Sequence, residues 1–114
     1  MLNSVDVVDL DLGVPSGREA GFLHPAVIVT AQRVLDESPA VVHIVPLTTA
    51  LRPFRSEVEI APDAGNGLDE TSAAQCQHLR AVSVGRVARS RGNVGPQTLH
   101  QVRETIALLL DLPG

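Results

Sequence analysis

Residues 17–30 read GREAGFLHPAVIVT, and they join a loop to a strand at a single His-Pro step. The residues from 13 to 24 carry three glycines and one proline and show no periodicity, which is typical of a long loop that carries functional side chains. The run from Ala26 to Thr30 is short and β-branched, which indicates a strand. Because a residue before proline is biased toward extended backbone, His24 is predicted at the entrance of that strand.

Further strands are predicted on both sides of this stretch. The N-terminal segment alternates apolar residues with Asp9 and Asp11, and SEVEI at 56–60 alternates in the same way, as half-buried strands do. The connection after Thr30 is predicted as a turn or a short helical excursion. The five predicted strands are Val5–Leu12, Ala26–Thr30, Val41–Pro46, Ser56–Ile60 and Ala73–Val84.

A helix is predicted near the C-terminal end of the sequence. Pro96 suits its first position and Pro113 is expected to end it. Leucines 108 and 110 add more apolar surface than one stripe needs, so the helix either packs on the core alone or also covers a partner subunit. Strands followed by one helix predict a mainly β fold, a small, mostly antiparallel barrel or curled sheet. The apolar stripe of the helix consists of Leu99, Val102, Ile106 and Leu109.

The composition predicts one ordinary globular domain over residues 1–114, with 44% hydrophobic and 19% charged residues. No apolar run approaches the roughly 18 residues that a membrane span needs. The N-terminal residues lack a basic region and are interrupted by aspartates, so no secretory signal is predicted and a cytoplasmic protein is expected. Cys76 is the single cysteine and is expected to be a small buried residue, without a zinc-ligand pattern around it.

The charge pattern leaves nucleic-acid binding open. A formal net charge of −4 argues mildly against a general nucleic-acid binder. All nine basic residues are arginines, however, and six of them lie between positions 52 and 91. Guanidinium groups suit bidentate phosphate contacts, although biased codon usage would produce the same composition. With two Phe and no Trp or Tyr, a broad base-stacking surface is excluded.

Three segments together resemble the MazF/PemK toxins of bacterial toxin–antitoxin systems. They are GREAGFLHPAVIVT at 17–30, VVHIVPLTT at 41–49 and QCQHLRAVSVGRV at 75–87. The resemblance implies a small SH3-like barrel that forms a homodimer and cuts single-stranded RNA at short sequences without a metal or another cofactor. It also implies a cognate antitoxin that silences the toxin. In such toxins a 2′-hydroxyl attacks the neighbouring phosphorus and leaves a 2′,3′-cyclic phosphate and a 5′-hydroxyl.

The resemblance also implies site residues. The hydroxyl residue of the family corresponds to Thr48, with Thr49 beside it, and the loop acid corresponds to Glu19. The main catalytic residue of the family is an arginine directly before the proline of the second strand, and this chain carries His24 there. Three alternatives follow: His24 acts as acid or base, Arg18 or another nearby arginine supplies the cation, or the enzyme is weakened.

The Gln-hydrophobic-Arg motif of the family corresponds to His78-Leu79-Arg80, with Gln77 before it. On a strand Gln77 and His78 would alternate, so only one of them is expected to face the site. His43, inside a Val/Ile-rich strand, is expected to be a core or interface residue.

Two more arginines, Arg52 and Arg55, flank a Pro-Phe pair in a predicted loop beside Thr48. There they would hold RNA phosphates or an acidic antitoxin segment, or they would be ordinary surface charges.

Two rival functions share this outline. The CcdB toxins, which inhibit DNA gyrase without catalysis, share the barrel, and fold alone does not decide function. They place their working residues on the terminal helix, whereas the loop polarity of this chain is concentrated around Glu19, His24 and Thr48. The other rival is a toxin-like protein that pairs with an antitoxin but has lost cleavage together with the arginine before Pro25.

Overall fold

The structure is a computed structural model, and it describes residues 2–12 and 23–113. Seven strands, two α-helices and two 3-10 turns follow one another in this part of the chain. The strands are β1 (Asp6–Asp11), β2 (Leu23–Ile28), β3 (Val41–Thr48), β4 (Glu57–Ile60), β5 (Ser72–Gln75), β6 (Arg80–Ser83) and β7 (Val87–Asn93). The helices are α1 (Gln32–Leu35) and α2 (Gly95–Leu110), and the 3-10 turns are Cys76–His78 and Val84–Arg86.

The strands form one antiparallel sheet in the order β4-β5-β3-β2-β1-β7, and β6 also pairs with β3. Along one edge, β3 pairs first with β6, where Ile44 lies opposite Arg80, and then with β5, where Thr48 lies opposite Ala73. This confirms the mainly β, mostly antiparallel fold with a C-terminal helix. Within the described residues the sheet curls but does not close, so it is barrel-like only loosely.

Both faces of the central strands are buried. Val7 and Val27 point into a core that α2 covers with Leu99 and Val102. Their neighbours point the other way, into a second core closed by Leu35 of α1. The second core contains Val8, Leu10, Ala26, Ile28, Val42, Ile44 and Val82. Burial on both faces explains why consecutive residues within β1 and β2, Val7-Val8 and Val27-Ile28, are apolar.

Helix α2 is held to the sheet by packing and by one arginine. Nη2 of Arg103 donates to Oγ of Ser4 at 2.8 Å and to the carbonyl of Val29 at 3.0 Å. The helix has proline in its first turn, as predicted, but ends at Leu110, before the predicted stop. Asp111 follows in the left-handed conformation, with φ of 55°, and caps it. Over the described residues no helix is long and apolar enough to cross a membrane.

Strand β7 was not predicted, because its sequence, VARSRGN, is polar and charged. Its arginines explain why it pairs with β1. Asp9, whose side chain is 1% exposed, accepts hydrogen bonds from Nε of Arg89 at 2.5 Å and from Nε of Arg91 at 3.0 Å. Burial raises the pKa of the Asp9 carboxyl, but the hydrogen bonds and charges of the two arginines outweigh burial and lower it from its ordinary value.

Gly67 lets the loop after β4 pack against β7. It has a φ of +67°, and a Cβ at this position would lie 2.4 Å from the backbone oxygen of Arg91. A side chain would therefore strain the backbone and also collide with β7.

Five other predicted features are confirmed, and two are wrong. The strands predicted at 5–12, 26–30, 41–46 and 56–60 are present as β1 to β4, and Cys76 is buried. Burial raises the pKa of its thiol to about 11, so Cys76 is a core residue. The strand predicted at Ala73–Val84 is interrupted by the 3-10 turn at 76–78. Leu109 is exposed, so it does not belong to the buried stripe of α2.

Candidate functional site

A cavity of about 310 Å³ opens on the sheet where β1, β2, β3 and β6 meet. The strand register explains which side chains share it: Leu10 of β1 lies opposite His24 of β2, and Ile44 of β3 lies opposite Arg80 of β6. We call this cavity the His24 groove; it is lined by Leu10, Leu12, His24, Ile44, Pro46, Gln75, His78 and Arg80. Its apolar floor and polar rim combine the features expected of a ligand site.

His24 and Thr48, the two predicted catalytic residues, occupy neighbouring strands. The β2–β3 register pairs Ala26 with Pro46. Continuing it by two residues on each strand aligns His24 with Thr48, which is the last residue of β3. Oγ1 of Thr48 accepts a hydrogen bond from the backbone N–H of Ala50 at 3.1 Å, and its hydroxyl proton remains available for donation. Thr49 follows directly and is exposed.

The segment that carries Gln77 and His78 is a 3-10 turn, so the predicted strand alternation of these two residues is wrong. His78 lines the His24 groove together with Arg80, the first residue of β6. Gln77 is exposed and donates through Nε2 to Glu57 at 2.6 Å. Of the two, His78 therefore faces the groove, and Gln77 contacts Glu57.

Arg52 and Arg55 lie in the connection between β3 and β4, as predicted, and both are exposed. Arg52 is held in place: its Nη2 donates to Oε2 of Glu57 at 2.8 Å, and its guanidinium lies 4.7 Å from the ring centre of Phe54. Its remaining N–H groups are oriented by these two contacts. Arg18 and Glu19, the predicted loop residues, lie outside the described residues.

Glu57 and Gln75 were not predicted as site residues. In SEVEI, Glu57 and Glu59 share one face of the alternation, and the pattern predicts that both face solvent. Glu59 is exposed, but the side chain of Glu57 is 1% exposed because Arg52, Gln75 and Gln77 cover it. Burial raises the pKa of the Glu57 carboxyl, yet the hydrogen bonds from Gln77, Arg52 and Gln75 lower it overall, so the carboxyl is ionised at neutral pH.

Two histidines lie away from the groove. His43 is exposed on β3, so it is not a core residue, and the interface alternative stays a prediction. His43 lines a second, mostly apolar cavity of about 470 Å³ beside α2. His100 is exposed on α2 and lies 3.5 Å from Glu104. Within residues 2–12 and 23–113, no cluster of His, Cys, Asp and Glu could hold a metal ion.

The chain is similar to known proteins over nearly its whole length. Residues 3–110 match the family described as "PemK-like, MazF-like toxin of type II toxin-antitoxin system". The protein named Endoribonuclease MazF9 from Mycobacterium tuberculosis is 27% identical over 116 residues, covering 98% of each chain.

Solved structures share the fold. An endoribonuclease from a Mycobacterial species, solved in complex with its cognate antitoxin, has a TM-score of 0.79 at 24% identity and covers 100% of this chain and 99% of its own. A structure of MazE-MazF from Deinococcus radiodurans has a TM-score of 0.76 at 18% identity, with 98% and 97% covered.

Proposed function

The chain belongs to the PemK-like, MazF-like toxins of type II toxin–antitoxin systems, and on that premise we propose that it is an endoribonuclease that cuts single-stranded RNA. The observation that carries the proposal is the His24 groove, where an imidazole on β2 shares one cavity with His78 and Arg80. Continuing the β2–β3 register would bring the hydroxyl of Thr48 to the same side of the sheet, which supports its inclusion in the site. These are an acid-base group, a cation and a hydroxyl donor, which together serve phosphoryl transfer.

The proposed reaction needs no group beyond those of the chain and the RNA. The 2′-oxygen of one ribose attacks the adjacent phosphorus, and the bond from phosphorus to the 5′-oxygen of the next nucleotide breaks. The proton of the 2′-hydroxyl passes to a base, and a proton passes to the departing 5′-oxygen. The products are a 2′,3′-cyclic phosphate and a 5′-hydroxyl. An imidazole gains and loses protons near neutral pH, so His24 suits either proton transfer.

The charge that grows on the phosphoryl oxygens requires donors. The Thr48 hydroxyl supplies one, and the Arg80 guanidinium supplies a permanent positive charge at the groove. Arg52 and Arg55 extend the positive surface along the connection after Thr48, where they would hold neighbouring phosphates. In this arrangement Arg80 is the family arginine that the site keeps, and His24 takes the position of the other one. Arg18 and Glu19 are proposed RNA contacts from the loop before β2.

Cleavage of a long single-stranded RNA tests the proposal directly. The purified protein is incubated with the RNA in the presence of a chelator, and the ends of the products are identified. We expect 2′,3′-cyclic phosphate and 5′-hydroxyl ends, with chelator leaving the rate unchanged. His24→Ala should slow cutting on the order of 10²–10⁴-fold, the usual contribution of a positioned acid or base. Thr48→Ala should slow it as well.

The control variant is His100→Ala, because His100 is an exposed histidine on α2 that does not line the groove. It should cut like the wild type. If the wild type does not cut but His24→Arg does, catalysis has been lost with the family arginine and His24 is not the acid-base group. If neither cuts any RNA, the endoribonuclease proposal is wrong, and inhibition of DNA gyrase becomes the function to test.

We also propose a homodimer and a cognate antitoxin as partners, in the cytoplasm. The end of α2 supports the dimer: Leu108 is 73% exposed, and the neighbouring leucines are exposed as well. Together with the apolar cavity beside α2, they form a surface that a second copy would cover. Light scattering should give twice the mass of one chain for the wild type and one chain for Leu108→Glu. A monomeric wild type would contradict the dimer.

A further inference from the structure

Glu57 stands at the centre of a hydrogen-bonded group beside the His24 groove, which we call the Glu57 cluster: Arg52, Glu57, Gln75 and Gln77. All three partners donate to the same carboxylate oxygen, Oε2. The distances are 2.6 Å from Nε2 of Gln77, 2.8 Å from Nη2 of Arg52 and 3.3 Å from Nε2 of Gln75. The other oxygen, Oε1, is buried and has no hydrogen-bond partner among the described residues.

Three separate segments build this cluster. The β4–β5 register places Glu57 opposite Gln75, the 3-10 turn after β5 brings Gln77 back over β4, and the connection before β4 supplies Arg52. A buried charge with one unpartnered oxygen is costly, because that oxygen has lost its water without gaining a hydrogen bond. If two well-packed apolar residues or a neutral hydrogen-bonded pair replaced Glu57 and Arg52, they would stabilise the fold at least as well. The arrangement therefore indicates a role beyond stability.

The chemistry of the carboxylate determines how the two glutamines are oriented. An ionised carboxylate only accepts hydrogen bonds, so each carboxamide must turn its NH₂ group toward Glu57. The carbonyl oxygens of Gln75 and Gln77 then point away from Glu57 and are left to accept hydrogen bonds elsewhere. Gln75 lines the His24 groove, and Gln77, two residues further along, is exposed. Each glutamine thus has a carbonyl oxygen that is oriented by Glu57 and can accept a hydrogen bond from a ligand.

We propose that Glu57 is a positioning residue for base selection, which holds Gln75 and Gln77 so that one position beside the cut site favours adenine or cytosine. This inference rests on the proposed endoribonuclease function. Adenine and cytosine offer an amino donor at the 6- or 4-position of their Watson–Crick edge, whereas guanine and uracil place a carbonyl oxygen at the same point. A fixed acceptor pairs with the amino group and meets the uracil carbonyl with repulsion.

The contribution of Arg52 differs from that of the glutamines. Its guanidinium is already oriented by Glu57 and Phe54, and the N–H groups that these contacts leave over suit a phosphate oxygen. One carboxylate therefore orients a phosphate-binding cation and two base-reading amides at once. This predicts that loss of Glu57 changes which sequence is cut, whereas loss of Arg52 weakens cutting of every sequence alike.

The test compares cleavage-site profiles from a random single-stranded RNA pool cut by the wild type, Glu57→Gln and Glu59→Gln. In Glu57→Gln the side chain at 57 can also donate, so the carboxamides are free to turn. The preference for adenine or cytosine at one position should fall about 5–10-fold, the factor expected for one lost hydrogen bond. Glu59→Gln is the matched control: it makes the same change two residues away on an exposed side chain, and its profile should equal that of the wild type.

A second variant keeps the test valid if Glu57→Gln does not fold. Gln77 is exposed, so Gln77→Ala should fold normally and relax the same position of the profile. The proposal is overturned if Glu57→Gln or Gln77→Ala cuts with an unchanged profile, or if both lose activity equally on all sequences. If the wild type cuts no RNA, its binding to short RNAs that differ by adenine or uracil is measured instead; equal affinity, or none, also overturns it.

Discussion

The buried carboxylates of Asp9 and Glu57 have similar environments but differ in how their oxygens are hydrogen-bonded. The side chains of Asp9 and Glu57 are each 1% exposed, each is hydrogen-bonded to arginine, and each has a lowered pKa. Both oxygens of Asp9 are bonded, by Arg89 and Arg91 of β7. Glu57 uses one oxygen for all its donors and leaves the other without a partner.

The difference separates a carboxylate that holds the fold from one that serves a site. Asp9 joins two neighbouring strands and has no unmet hydrogen bond, which is the condition under which a buried ion pair is not costly. Glu57 holds flexible side chains at the rim of a cavity and keeps an unmet hydrogen bond. One buried carboxylate therefore stabilises the fold, whereas the other orients side chains at the cavity. Measurements of the free energy of unfolding should distinguish the two positions.

Removing the Asp9 charge should have the largest effect on stability. Asp9→Asn replaces hydrogen bonds to a charged group by weaker ones, and we expect the free energy of unfolding to fall by about 1.5–3 kcal/mol. Urea denaturation at pH 7 measures it. Asp111→Asn is the control, because asparagine also tolerates the left-handed backbone at that exposed position, and it should change stability by less than about 0.5 kcal/mol. Equal losses for the two variants would contradict the role of Asp9.

Acid should remove the stabilisation that the ionised Asp9 provides. The folded pKa of Asp9 lies below its ordinary value of 3.8, so the folded state binds fewer protons than the unfolded state in this range. The stabilisation is fully present above about pH 5 and is lost as the pH falls from there through the lowered folded pKa. The stability gap between wild type and Asp9→Asn should therefore be constant from pH 7 to pH 5 and shrink toward pH 3. A stability difference that grows as the pH falls would contradict the lowered pKa of Asp9.

The two partners of Asp9 should contribute unequally. Arg91 is 25% exposed and contacts both oxygens of Asp9, whereas Arg89 is 64% exposed and contacts one. Exposed ion pairs contribute little, so Arg89→Ala should cost at most about 1 kcal/mol and Arg91→Ala about 1–2 kcal/mol. Thermal unfolding of the two variants, compared at 0.05 M and 0.5 M salt, tests the order. A larger loss of stability in Arg89→Ala than in Arg91→Ala would mean that solvent exposure does not determine how much each arginine stabilises the fold.

The smallest effect on stability is expected at Glu57. Glu57→Gln removes a charge whose second oxygen has no partner, so relief of that cost offsets the weakened hydrogen bonds, and the free energy of unfolding should change by less than about 1 kcal/mol. The same urea experiment as for Asp9 measures it. A loss as large as that of Asp9→Asn would make Glu57 a structural residue and remove the contrast between the two carboxylates.

Several features could be predicted from local patterns because a local cause produces them. Alternation in the segment around Asp9 predicted β1, and proline spacing with an apolar stripe predicted α2. Pro25 predicted that His24 lies at the start of β2, where it is. The end of α2 differed from its prediction because a left-handed cap at Asp111 stops the helix before Pro113 does.

Other features could not be predicted because their causes are distant in sequence. Strand β7 is polar, and it is recruited to the sheet by a carboxylate about 80 residues earlier, which no local pattern records. The turn at 76–78 interrupts a segment whose apolar content suits one strand. Glu57 alternates like a solvent-facing residue, and only the arrival of Arg52, Gln75 and Gln77 buries it.

The sequence by itself determined the fold class, the family and the position at which His24 enters its strand, because periodicity, proline and turn chemistry act over a few residues. Only the tertiary structure decided which polar groups meet. It placed His78 and Arg80 in one groove with His24, and it buried two carboxylates with different partners. Hydrogen-bond satisfaction depends on where distant chain segments pack, and that depends on the whole sheet.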